Sequence, residues 1–169
     1  FNFERFGLED EEEMRRVIED NDIVIGNLQN VFDLYTPRGN KVTAYQHWEA
    51  HDRTLINIED LKTMLDILEE NYPELGKSAR EYLNGTKFLG FNCFVMRKDL
   101  FHEMCSIEFD VLKKLEERVD MAHYSQQLRR IYGFMGEIIS SSYFDYLEKQ
   151  GKYRIKHVPL VYFEYTDET

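Results

Sequence analysis

Cysteine is scarce: the 169 residues hold two, Cys93 and Cys105, with no C-x-x-C pairing. Both sit among apolar neighbours, which reads as two buried free thiols rather than a disulfide framework or a zinc site. Long apolar runs are missing as well. No stretch approaches the roughly 18–20 consecutive apolar residues of a membrane span, and the acidic opening from Glu9 to Glu13 has nothing of a signal peptide, so the expected address is cytoplasmic. Basic side chains are outnumbered, with 21 Lys and Arg against 32 Asp and Glu for a formal charge of −11. Such a field repels polyanions, which argues against nucleic acid as a partner and against anionic membrane surfaces. Finally, no G-x-G-x-x-G, P-loop or G-x-S-x-G pattern occurs, which removes the common nucleotide and hydrolase fingerprints.

What is present is enough for a packed core. The chain is 43% hydrophobic and 14% aromatic, apolar surface that offsets chain entropy in one folded domain over residues 1–169. It opens at Phe1 without an initiator Met, which reads as a piece of something longer, and Phe1, Phe3 and Phe6 read as the scar of a cut interface. Helical spacing runs from Leu8 to Asn21, followed by a β-branched buried strand over 22–26. Residues 27–41 have no sustained period and read as a long loop. Thr43 caps a helix through Tyr45, Trp48 and His51. Asn57 followed by Asp60 resembles a capping box for a helix with Leu61, Met64, Leu65 and Leu68 inward, ending at Tyr72 before Pro73.

A shorter helix over 74–84 ends on Gly85, and residues 87–96 read as one Phe-rich strand with Asn92 buried inside it. Asp99 is the expected cap of a long helix through Leu115, with Phe101, Met104, Cys105, Phe109 or Glu108, Leu112 and Leu115 as its inward stripe. Ser125 starts another, with Leu128, Ile131, Tyr132, Met135, Ile138 and Ile139 inward. Its Gly133 and Gly136 leave room for another backbone. A last strand spans 154–165, with Pro159 at an edge or end. The class is helix-rich α/β with a small sheet of three or four strands.

Four features carry possible chemistry. His47 and His51 are one helical turn apart, a metal-binding spacing, but Glu49 lies about 200° around the helix from His47 and cannot serve as the base of a zinc protease. The plain reading is a solvated His47 and a hydrogen-bonding His51 at a helix end. Asp20-Asn21-Asp22 matches the D-x-D of metal-dependent glycosyltransferases, yet its acids precede the apolar run instead of following it, which makes it a helix-to-strand turn. Asn92 either ties down a loop or faces a polar pocket. Glu137, in an apolar stretch beside Gly133 and Gly136, either acts as a general base or sugar anchor, or pairs with Arg129 or Arg130.

The ordered set Asp22-Ile-Val-Ile25, Trp48-Glu-Ala-His51, Glu59-Asp60-Leu61 and Asn92-Cys-Phe-Val-Met96 resembles a bacterial family of glycosyltransferase-like proteins. The family comes from capsular and exopolysaccharide gene clusters and was long listed as a domain of unknown function. Phe101 to Glu116, Arg130-Ile-Tyr-Gly-Phe-Met-Gly-Glu137 and Ile155-Lys-His-Val-Pro-Leu-Val161 resemble its carboxyl-terminal part in the same order.

The resemblance implies a GT-A-like fold, of which this chain is a part. The implied activity is transfer of a sugar from a nucleotide-sugar donor to a glycan acceptor. It implies Glu137 as catalytic base or acceptor anchor, with His51, Asp60, Asn92 and Arg130 as substrate-binding positions. It also implies that the donor diphosphate, with any Mn²⁺ or Mg²⁺, is held mainly by an upstream segment, which becomes this chain's expected partner. None of the residues singled out is a metal ligand. The rival expectation is a non-catalytic carbohydrate-binding or interaction module.

Overall fold

The computed structural model of the chain describes residues 10–34, 42–90 and 92–161, with Glu4, Gly7 and Leu8. The aromatic cluster at Phe1, Phe3 and Phe6, the loop residues 35–41 and the end of the last expected strand lie outside the described residues. Local signals set most helix starts. Asp10 accepts the Glu13 N–H at 2.9 Å and opens α1 (Glu11–Asp20), whose first turn is acidic as the helix dipole favours. Thr43 and Gln46 form a reciprocal capping box on α2 (Ala44–Ala50). Asn57 caps α3 (Ile58–Asn71), which ends at Tyr72 because Pro73 begins α4 (Pro73–Asn84).

Strand β1 (Ile23–Gly26) is buried along its whole length. It pairs antiparallel with β4 (Phe94–Met96), Ile25 opposite Phe94, and parallel with β5 (Ile155–Val158), Gly26 opposite Val158. β2 (Gln29–Asn30) and β3 (Lys87–Phe88) form a separate two-stranded ladder. The rest of the core is helical. α3 packs on α4 and on α5 (Lys98–Arg118), and α6 (Ile131–Gln150) packs on the same two. This closes a ring of four helices around Met64, Leu68, Leu83, Leu115, Met135 and Ile139. α6 is buried on nearly all sides from Met135 to Phe144, with Ser140, Ser141 and Ser142 among the buried residues, as befits a central helix.

Several expectations change. The single strand over 87–96 is two strands in different sheets, because the intervening Leu89 is tied to side chains instead of a neighbouring strand. Its N–H donates to the Tyr82 hydroxyl at 2.9 Å, and its carbonyl accepts from Ser141 Oγ at 2.7 Å. The cap of α5 is Arg97, with no side-chain capping bond. Asp99 lies in the first turn, paired with Arg97. The buried stripe of α5 is Leu100, Met104, Val111 and Leu115, while Phe101 and Phe109 are 41% and 66% exposed. Cys93, just before the edge strand β4, is exposed, and Cys105 in α5 is only half-buried. The helix expected from Ser125 begins with a 3₁₀ turn at Leu128–Arg130 before α6.

Candidate functional site

α6 carries Glu137. At about 100° per residue, Arg130, Phe134, Ser140 and Ser141 all fall within about 60° of it around the helix. Three of these neighbours touch other parts of the chain, and the fourth, Arg130, lies against Phe134. Phe134 packs on Trp48 of α2, with ring centroids 5.9 Å apart. Ser141 holds the Leu89 carbonyl, and the Ser140 hydroxyl is 3.1 Å from Asn92 Oδ1. The Arg130 guanidinium lies 5.6 Å over the Phe134 ring. Glu137 thus sits on the α6 face met by Leu89, Asn92 and α2. Desolvation pushes its carboxyl up from the ordinary value, and Arg130 pulls it partly back. No hydrogen bond or ion pair engages that carboxylate among the described residues, so the expected pairing with an arginine reduces to this longer-range attraction.

Gly133, one turn before Glu137, does not receive a backbone. A Cβ placed there would meet nothing within 4 Å, so the space beside the carboxylate is open. Gly136 faces α5, where a Cβ would come 2.7 Å from Glu108 Oε1. Glu108 is a half-buried carboxylate that desolvation also pushes up. Its placement in the apolar stripe was readable from spacing; its role opposite Gly136 was not.

Asn92 is exposed, not buried, because it lies between β3 and β4 rather than inside a strand. Only its oxygen is engaged, by Ser140. It lines a cavity of about 440 Å³ with Gly26, Phe94, Val158 and Leu160. His51 ends α2, and its ring lies 5.0 Å from that of His47. His47 is buried rather than solvated, packed against Trp48 and Phe88. His51 therefore reaches the Phe134 region through His47 and Trp48.

Asp60 belongs to a second cluster. Its carboxylate, pushed up by desolvation, accepts from the Tyr124 hydroxyl at 2.5 Å, and Asn57 Nδ2 donates to the same hydroxyl at 2.6 Å. The expected return bond of a capping box is replaced by this link to the segment between α5 and α6. Tyr124 carried no signal in the sequence, since its partners are more than sixty residues away. Arg53, in the loop between Asp52 and Asn57, has a left-handed φ of 63° and is held by its N–H donating to the Ile56 carbonyl at 2.8 Å.

Among the described residues no group of three or more His, Cys, Asp or Glu could hold an ion. Asp22, the second acid of the D-x-D match, accepts the Arg154 N–H at 2.9 Å and pairs with Arg97 and Arg154. These contacts, the Arg154 N–H foremost, pull its carboxyl below the ordinary value. The turn reading holds, and these residues do not fit a catalytic cation.

The helix-rich α/β layers with two small sheets define a glycosyltransferase-like fold. The solved apo structure of WbbM, a bifunctional glycosyltransferase, is similar to this chain with a TM-score of 0.76 and 26% identity over 87% of it. The chain corresponds to 25% of that protein's length. The chain belongs to the family described as Domain of unknown function (DUF4422), whose model matches residues 3–149. No curated protein matches it. No helix among the described residues is long and apolar enough to cross a membrane.

Proposed function

We propose that this chain is the acceptor-side part of a glycosyltransferase that moves a sugar from a nucleoside-diphosphate donor to a glycan hydroxyl in capsular or exopolysaccharide synthesis. The observation that carries the reading is Glu137. It is a desolvated carboxylate with no hydrogen-bonded partner among the described residues, beside the open space at Gly133 and next to the turn that engages Asn92. A carboxylate whose pKa is raised by burial is a better base than one in water.

In an inverting reaction Glu137 takes the proton of the acceptor hydroxyl. The freed oxygen forms the bond to the anomeric carbon, and the bond from that carbon to the diphosphate breaks with its electron pair leaving on the diphosphate. Asn92 and His51 contact sugar hydroxyls. Arg130 supplies positive charge either to the departing phosphate or to Glu137 between turnovers. Asp60 acts through Tyr124, holding the segment that leads into Arg130. The donor diphosphate and any Mn²⁺ or Mg²⁺ are assigned to an upstream segment.

The test incubates this chain, and a form extended upstream, with uridine- and guanosine-diphosphate sugars plus Mn²⁺, and measures release of nucleoside diphosphate. The extended form is expected to hydrolyse or transfer the donor, and Glu137→Gln to reduce the rate by about 10²–10⁴-fold with folding intact. If neither form binds any donor, the reading fails in favour of a non-catalytic carbohydrate-binding or interaction module.

A further inference from the structure

The parallel strands β1 and β5 end together at Gly26 and Val158, and the ladder continues one step further as the Asn27 N–H donates to the Val158 carbonyl at 2.9 Å. Beyond their carboxyl ends, where open α/β sheets bind ligands, lies a cavity of about 210 Å³. Asn27, Leu28, Gln29, Leu89, Pro159 and Leu160 line it. The larger cavity that contains Asn92 adjoins it, sharing Gly26, Pro159 and Leu160. Together they form one elongated crevice with Leu160 as a common wall.

Its chemistry is distinctive. Among the described residues the two linings contain no Lys, Arg, His, Asp or Glu, so these residues offer neither a side-chain cation for a diphosphate nor a carboxylate for a metal. What it has instead is amides. No hydrogen bond engages the Asn27 or Gln29 side chain among the described residues, and Asn92 uses only its oxygen. Each amide offers both donors and an acceptor, as pairs of sugar hydroxyls require. Leu28 and Leu160 are 40% and 43% exposed and present apolar surface to the C–H faces of a ring. In the cavity between α3 and α4, by contrast, Arg80 is already held by Asp66 and Glu69. The smaller cavity is below the roughly 300–1,000 Å³ of sites that enclose drug-sized ligands, a size for one ring rather than a nucleotide.

We propose that this crevice is the acceptor subsite, binding consecutive neutral sugar units with hydroxyls on Asn27, Gln29 and Asn92 and ring faces on Leu28 and Leu160. The assignment rests on the glycosyltransferase reading and adds where the glycan lies. A chain of sugars running along the crevice to Asn92 arrives at the Ser140 turn of α6, next to Glu137.

The experiment records amide and methyl NMR spectra of this chain during titration with glucose, galactose, mannose, N-acetylglucosamine and lactose, and separately with uridine diphosphate. At least one neutral sugar is expected to shift the Asn27 and Gln29 side-chain amides and the Leu28 and Leu160 methyls saturably. That affinity should not change between about 50 and about 500 mM NaCl, because no charge pair is screened. The double variant Asn27→Ala/Gln29→Ala should weaken it about tenfold at unchanged melting temperature. Leu160→Glu, also at an exposed position, should weaken it independently.

Shifts with uridine diphosphate in place of sugars, sugar binding indifferent to both variants, or no shift with any sugar would each overturn the proposal. A silent crevice in a protein whose extended form hydrolyses donor sinks this inference alone. Sugar binding here with no donor hydrolysis in any form leaves the crevice standing and removes the catalytic reading.

Discussion

A methyl group added at Gly76 would meet Glu69 of α3 at 2.5 Å from Cα and 2.7 Å from N, main-chain atoms that cannot step aside. One added at Gly133 would meet nothing. Both glycines are helical, so the intrinsic gain from alanine is similar, up to about 1 kcal/mol, and their surroundings decide the sign. Gly76→Ala is expected to lower stability by about 1–3 kcal/mol, the range for overpacking. Gly133→Ala should be neutral or stabilising by up to about 1 kcal/mol. Urea unfolding of the two variants checks both, and equal shifts would contradict the close approach of α3 and α4. Gly133→Leu adds a functional readout. It fills the space beside Glu137, so donor turnover in the extended form should fall at least about tenfold while the urea midpoint holds.

Among the elements, those with local punctuation were legible in the sequence. Thr43 with Gln46, Asn57, Tyr72 before Pro73, and Gly85 after Asn84 each fix a helix end through bonds or sterics within a few residues. The 87–96 segment was not legible, because what breaks it into two strands are hydroxyls contributed by α4 and α6. The inward stripe of α5 was displaced for a related reason. Leu100 and Val111 stand beside Phe101 and Leu112 in sequence, and only packing on α3 and α6 selects between the two faces. The candidate site shares this division: Glu137 and Asn92 could be singled out as unusual polar residues, but their meeting at Ser140 depends on the fold.

The Leu89 anchor is testable at this scale. Ser141→Ala leaves a buried carbonyl without its donor and should cost about 1–3 kcal/mol. Tyr82→Phe should speed hydrogen exchange of the Leu89 amide, since that N–H then has no acceptor. Unchanged exchange would mean that Leu89 is held by packing alone, and the placement of Asn92 near Glu137 would lose its support.

At the scale of the whole molecule, two groups of carboxylates shifted by folding have opposite pH behaviour. Asp60, Glu108 and Glu137 are pushed up, in each case with desolvation as the leading cause. Asp22 is pulled down chiefly by the Arg154 N–H, and Asp110 chiefly by Lys114 with Tyr72 assisting. A group raised on folding binds more protons in the native state, so its stabilising contribution is complete below its unfolded value, about 4. That contribution is lost as pH rises through the higher folded value. A lowered group does the reverse, and its contribution is lost as pH falls below about 4 toward the folded value. The −11 formal charge adds self-repulsion that grows as the carboxylates ionise. Stability should therefore peak in mild acid, above the range where Asp22 and Asp110 protonate and below neutrality. The urea midpoint followed from pH 3 to pH 8 reads this directly. The double variant Glu108→Gln/Glu137→Gln should flatten the alkaline limb and leave the acid limb in place. An alkaline limb unchanged by that variant would show that neither carboxylate is desolvated, and with it would go the argument that Glu137 is a strengthened base.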